Sequence, residues 1–191
     1  MAWYLVCLIS IVAVAQVDST ELPHQGTHIT MQFEVMRPCE DFPNGDVKFS
    51  NLKMEQIGKN EMSVSGQVDV KVPIDERFNL QVRLIHCISK SDRGNCETFP
   101  PTPIPDVCKK LADEDQIWSG LVHDLENFTP KCPVPPGSYE FHHHKLRMDS
   151  MPKMPLMVGY WIIKTEGFLG DNKVMCELSE MSLTRKKNKK G

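Results

Sequence analysis

Three stretches of this chain alternate apolar and polar residues one at a time, and that pattern limits the fold more than any other feature. In HITMQFEVM, Ile29, Met31, Phe33 and Val35 alternate with Thr30, Gln32 and Glu34. In EMSVSGQVDVKVPI, Met62, Val64, Val68, Val70 and Val72 alternate with Ser63, Ser65, Gln67, Asp69 and Lys71. In RFNLQVRLIHC, Phe78, Leu80, Val82 and Leu84 alternate with Asn79, Gln81 and Arg83. Successive side chains of a strand point to opposite faces, so a period of two means one apolar face and one wetted face. Antiparallel strands carry that signature. LVHDLENF, SYEFHHHKLRM, GYWIIKTEGF and NKVMCELSEMSLT are further strand candidates. Pro43-Asn44-Gly45-Asp46, Gly58-Lys59-Asn60, Pro135-Pro136-Gly137 and Gly170-Asp171-Asn172 are turn signals between candidates. The stretch DVCKKLADEDQIW, from Asp106 to Trp118, lacks alternation. A short helix is expected over Pro105 to Leu111, with a loop after it. The expected class is mostly β: seven or eight strands in a two-sheet antiparallel β-sandwich or β-cup.

The first residues, MAWYLVCLISIVAVAQ, read as a secretory signal peptide over residues 1–15. The apolar run is short for a membrane span, and Ala13-Val14-Ala15 fits the small-x-small cleavage rule. A mature chain from Gln16 would hold one domain over 16–184 and a basic, disordered tail over 185–191. Cys7 leaves with the signal. Cys39, Cys87, Cys96, Cys108, Cys132 and Cys176 remain. An even set in an oxidising compartment reads as three disulfides, among fifteen pairings that spacing does not separate. No Cys-x-x-Cys pair occurs, so neither a metal nor another cofactor is expected. The protein is expected to be secreted or extracellular, with a lysosomal or endosomal lumen as the other destination. Asn127-Phe128-Thr129 is the single glycosylation sequon. A formal net charge of −3 gives no reason to expect nucleic acid. The terminal RKKNKK is read as a solvated tail, or as an attraction to anionic lipid.

MDSMPKMPLM places Met148, Met151, Met154 and Met157 three apart, with Pro152 and Pro155 among them. The prolines oppose a helix, and a period of three matches polyproline II, where i and i+3 share a face. The segment reads as an extended methionine stripe. The chain has 11 Met against 8 Phe, 3 Trp and 3 Tyr. Methionine is adaptable and over-used at promiscuous binding surfaces. The excess suits a deformable apolar cavity, and it equally suits ordinary gap-filling in a core.

CPVPPGSYEF, MPKMPLMVGYWIIKTEGF and KVMCELSEMSL, together about the last sixty residues, resemble the ganglioside-activator family. The chain also resembles the wider ML lipid-recognition domains, including insect secreted members tied to taste and pheromone sensing. Upstream the likeness is looser: Cys87, Cys96 and Asp106-Val107-Cys108, with the N-terminal third matched only by strand pattern and Cys39. The resemblance implies a cup around an apolar cavity for acyl chains. It implies the pairs Cys39–Cys176, Cys87–Cys96 and Cys108–Cys132. The first would tie the first strand to the last, the second would close a hairpin tip, and the third would pin the helix and a rim loop. A fourth disulfide of the ganglioside activator has no cysteines here. Expected walls are Phe33, Val35, Val68, Val70, Leu80, Val82, Leu84, Trp161 and Ile163, although in GYWIIK the alternative face is Tyr160 and Ile162. Met151, Met154, Leu156 and Met157 would form the rim, or the edge that meets a membrane.

Each buried methylene contributes about 0.8 kcal/mol, so a chain of about fourteen gives roughly 11 kcal/mol gross, before ordering costs. A carrier can therefore bind without specific polar contacts. The expected ligand is a fatty acid, pheromone, sterol or glycolipid, with transient membrane contact and a receptor as further partners. The alternative is a protein-interaction domain with a filled core. No Gly-x-Ser-x-Gly or His-Glu-x-x-His motif occurs, so no enzyme is expected. His142 and His144 would share one face of a strand with His143 opposite. They suggest a metal site only with a third ligand, or a pH sensor that releases lipid on acidification.

Overall fold

The computed structural model describes residues 27–58, 61–116, 118–147 and 157–187. The expected signal peptide, Met148, Met151, Met154 and Leu156 lie outside them, as does the end of the basic tail. Residues His28–Lys186 gather into one compact unit, which is the unit described below. The other comprises Met1–Thr27 and Lys187–Gly191, of which only the strand ends at Thr27 and Lys187 are described.

Nine strands occur among the described residues: β1 (Thr27–Pro38), β2 (Val47–Gly58), β3 (Glu61–Val70), β4 (Phe78–Cys87), β5 (Glu97–Thr98), β6 (Thr102–Ile104), β7 (Gly137–Arg147), β8 (Gly159–Leu169) and β9 (Asn172–Lys187). The larger sheet has the order β1-β9-β8-β4-β5, with β6 also on β4. The smaller has the order β2-β3-β7. Thr30 Oγ1 lies 2.8 Å from Thr184 Oγ1, and Cys39 N donates to Cys176 O at 3.0 Å, so β1 and β9 run in opposite directions. Cys39–Cys176, Cys87–Cys96 and Cys108–Cys132 are the three disulfides.

The register decides which side chains share a face. Leu80 pairs with Gly167 and Gly167 with Met175; Val82 with Thr165 and Thr165 with Glu177; Leu84 with Ile163 and Ile163 with Ser179; His86 with Trp161 and Trp161 with Met181. Trp161 and Ile163 therefore stand on the face of Leu80 and Leu84, between the sheets. Tyr160 points the other way. Arg93, from the loop closed by Cys87–Cys96, donates to the Tyr160 hydroxyl at 3.0 Å and lies 5.2 Å from its ring centre. In the smaller sheet Phe49 pairs with Val68 and Val68 with Tyr139, all on the face toward the larger sheet.

Five local expectations need correction. The strand β2 was not expected. Its register shifts between Ser50 and Lys53, where Asn51 adopts φ 54°, so alternation changes phase midway. LVHDLENF is not a strand: α1 spans Ser119–Asp124, and only Leu125 makes a bridge, to Phe141. Ser119 Oγ donates to the carbonyls of Glu114 and Gln116, at 2.7 and 2.6 Å, and holds the entry to that helix. The helix expected over Pro105 to Leu111 is a single 3-10 turn, Cys108–Lys110. Finally, a bulge separates His142 from His144. His143 adopts φ 54°, and the β3–β7 register slips between Val64 and Gly66. Phe141 and His144 then share the inner side, while exposed His142 lies near Glu126 and Glu140. β9 also carries through Arg185, Lys186 and Lys187, the start of the run read as a disordered tail.

Candidate ligand cavity

Between the sheets, at the end where β4 begins and β8 finishes, lies a cavity of about 180 Å³. Phe78, Leu80 and Met175 line it from the larger sheet, and Val47, Phe49, Val68, Val70 and Tyr139 from the smaller. Gly167 in β8 leaves the space that Phe78 and Met175 occupy; a Cβ there would sit 3.0 Å from each. The remaining wall is irregular chain: Ile74, Val107, Leu111, Trp118, Leu125, Phe128 and Val134, with Leu121 and Val122 of α1 and the Cys108–Cys132 disulfide.

Backbone pairing holds this cover in place. Ile74 and Val134 exchange N–H···O bonds at 3.0 and 2.8 Å, and Glu126 N donates to Glu140 O at 2.7 Å. Asp106 N donates to Asn79 Oδ1 at 3.1 Å. Phe128 meets Tyr139 edge-on, with ring centres 5.1 Å apart, while the Tyr139 hydroxyl donates to Pro135 O at 2.7 Å. That bond satisfies the one polar end of the tyrosine. α1 has its own latch: His144 Nδ1 lies 2.6 Å from Asp124 Oδ2.

Two polar atoms near this space are buried and without a hydrogen-bond partner among the described residues. One is Trp118 Nε1, on a lining residue. The other is Glu177 Oε2, on a residue that is not itself part of the lining and joins it through Phe49. Glu177 is 2% exposed, and its Oε1 accepts from Phe49 N at 3.0 Å. Burial pushes this carboxyl up to about 7, against the opposing pull of the Phe49 N–H and Lys48.

One solved structure similar to this chain is that of a Niemann–Pick type C2 protein from Japanese carpenter ant. The two are 18% identical over 77% of this chain and 97% of that one, with a TM-score of 0.40. No family model and no curated protein matches the chain.

Of the expected wall residues, Val68, Val70 and Leu80 line the cavity. Val82 is half-buried one step along the same face as Leu80. Phe33, Leu84, Trp161 and Ile163 belong to a second apolar cluster with Met31, Met181 and Leu183. Val35 is half-buried on β1, outside the cavity lining. Met157, the one described residue of the stripe, is 45% exposed at the far end of β8 from the cavity, and its carbonyl accepts from Trp161 Nε1 at 2.9 Å. Asn127 is exposed, at φ 54°. Glu126, Glu140 and His142 bring ligand atoms within 4.8 Å of one another, all exposed, and His144 is not among them.

Sequence reasoning missed Val47 and Phe49, whose alternation is visible after the turn at Pro43 to Asp46. It expected a helix and rim loop pinned by Cys108–Cys132 but named none of the wall residues from Val107 to Val134. Those apolar residues follow no period, so no pattern marks them as a wall.

Proposed function

We propose that this protein is a secreted carrier of a hydrophobic small molecule held between its two sheets. The observation that carries the reading is the cavity, whose lining residues are apolar from both sheets and from the cover. Three disulfides agree with an oxidising compartment. An apolar cavity of about 150 Å³ takes a guest the size of benzene, and pockets for larger ligands run from about 300 Å³. A volume of about 180 Å³ thus accepts one ring or part of a tail. A longer chain requires the irregular cover and α1 to move outward, which is easier than parting two hydrogen-bonded strands.

Native mass spectrometry of protein from its own source, then organic extraction, tests the reading. The expected result is a co-purifying apolar molecule, with retention lost in Val68→Phe, whose larger ring projects into the cavity. Protein that retains no apolar molecule and takes up neither a fatty acid nor a fatty alcohol would leave the interaction-domain reading in its place.

A further inference from the structure

We infer that the ligand favoured by this cavity carries a hydroxyl group that donates its hydrogen bond to Glu177 Oε2. The inference rests on the carrier reading and narrows it to an alcohol. A carboxyl group taken out of water is costly, and a buried polar atom without a partner calls for an explanation. Glu177 lies on the inner face of β9, two residues beyond cavity-lining Met175. Its Oε1 is held by the amide of Phe49, another lining residue, on the edge strand of the smaller sheet. If the group only joined the two sheets, one oxygen would suffice, and a neutral amide would serve as well. The second oxygen is what needs a donor.

The surroundings leave this acceptor to a ligand. Its neighbours across β8 and along β9, Thr165, Met175 and Ser179, carry no charge, and Lys48 on β2 is the charged group that acts on it. Thr165, Glu177 and Ser179 form a short polar belt on an inner face that is apolar toward both ends. A tail among Phe49, Val68 and Leu80 with its head at that belt meets each surface with matching chemistry.

Octan-1-ol and 1-methoxyheptane have the same number of heavy atoms, but only the alcohol can donate. Their affinities for the full chain are measured by calorimetry at pH 8, where Glu177 is charged, and at pH 5, where it is protonated. At pH 8 the alcohol is expected to bind roughly ten- to hundredfold tighter, the worth of one hydrogen bond to a charged group. At pH 5 the protonated carboxyl donates to either oxygen, and the gap should close. In Glu177→Gln the amide oxygen keeps Phe49 N–H and the NH₂ faces the ligand, so the gap should vanish at both pH values. Trp118 Nε1 donates equally to either oxygen and does not enter the difference. Equal binding of the two probes at pH 8, or a preference that persists in Glu177→Gln, overturns the inference while leaving the carrier reading intact. Should that variant fail to fold, a wild-type gap unchanged between pH 8 and pH 5 overturns it as well. If neither probe binds at either pH, the carrier reading falls, and this inference with it.

Discussion

The inner face of the larger sheet ends in two different ways. At the β8 start, Met31, Trp161, Met181 and Leu183 are 0–3% exposed and form one buried cluster. Phe99 stacks on Trp161 with ring centres 5.9 Å apart, and His86 lies 4.6 Å from the same ring. At the β8 finish, Phe78, Met175, Val70 and Tyr139 are also buried, yet they surround a cavity. Both ends are built on the same strands with the same alternation. The difference is the cover. Phe99 is tied directly to the sheet through its N–H to Leu84 O at 2.9 Å, so its ring lies flat on the core. The cavity is bridged by the longer chain 105–134, which is tied to the sheets at Asn79 and Glu140 and braced by its own turns, six-residue helix and disulfide. Interiors close-pack when side chains are free to settle into one another; a cover anchored at its own fixed points does not settle so fully.

That contrast is sharpest in mutation. Trp161→Ala should cost about 3–5 kcal/mol in urea unfolding. Leu80→Ala should cost only about 1–2 kcal/mol, because atoms facing a void already lack contacts on that side. Equal costs would mean that the two ends are packed alike. Next, Cys108→Ser with Cys132→Ser releases a closure of sequence separation 24. The chain-entropy model gives about 3.5 kcal/mol for a loop of this size. The double variant should lose uptake of an apolar probe while the near-ultraviolet signal of Trp161 persists. Loss of both together would show the cover and the solid end to be one cooperative unit.

The last prediction concerns the belt between the ends. Unfolded, Glu177 titrates at its ordinary value of 4.5; folded, it keeps its proton up to about 7. The resulting stability is fully present below 4.5 and is lost as pH rises through about 7. Between pH 5 and pH 8 the protein should lose roughly 2–3 kcal/mol on this account, and Glu177→Gln should be flat over the same range. Glu34, Asp69 and Glu166 act in the opposite sense. Hydrogen bonds from Lys90 and Ser182 hold Glu34 low; for Asp69 and Glu166 burial pulls upward and is outweighed, by Ser138, Ser50 and Gln67 and by Lys173 and Lys164. Their stability is lost only as pH falls through still lower values, so pH 5 keeps the measurement clear of them.

Much of the sheet framework was legible, because β1, β3, β4, β8 and β9 write a period of two into the chain, although β8 and β9 are buried in part on both faces. β2 was not, since the bulge at Asn51 moves the inward residues from Val47 and Phe49 to Met54. The same physics misled at His143, where one extra residue turns His142 away from His144. The α1 segment reads as a strand although Leu121, Val122 and Leu125 stand at i, i+1 and i+4, a helical spacing that five residues are too few to establish. For the site, Val68, Val70 and Leu80 were recoverable as inward-facing residues. Nothing local separated them from Phe33, Leu84, Trp161 and Ile163, which obey the same alternation but belong to the other apolar cluster.

Alternation and an even cysteine set were enough, by themselves, to call for antiparallel sheets with apolar inner faces and for three disulfides, though not for which cysteines pair. Those properties depend on where each side chain points, which the backbone period dictates residue by residue. Whether the faces meet or stand apart, and that Glu177 of β9 reaches the amide of Phe49 on the opposite sheet, depends on distances between segments far apart in the chain. Only the tertiary structure sets those distances, because they arise from how an unpatterned cover is anchored.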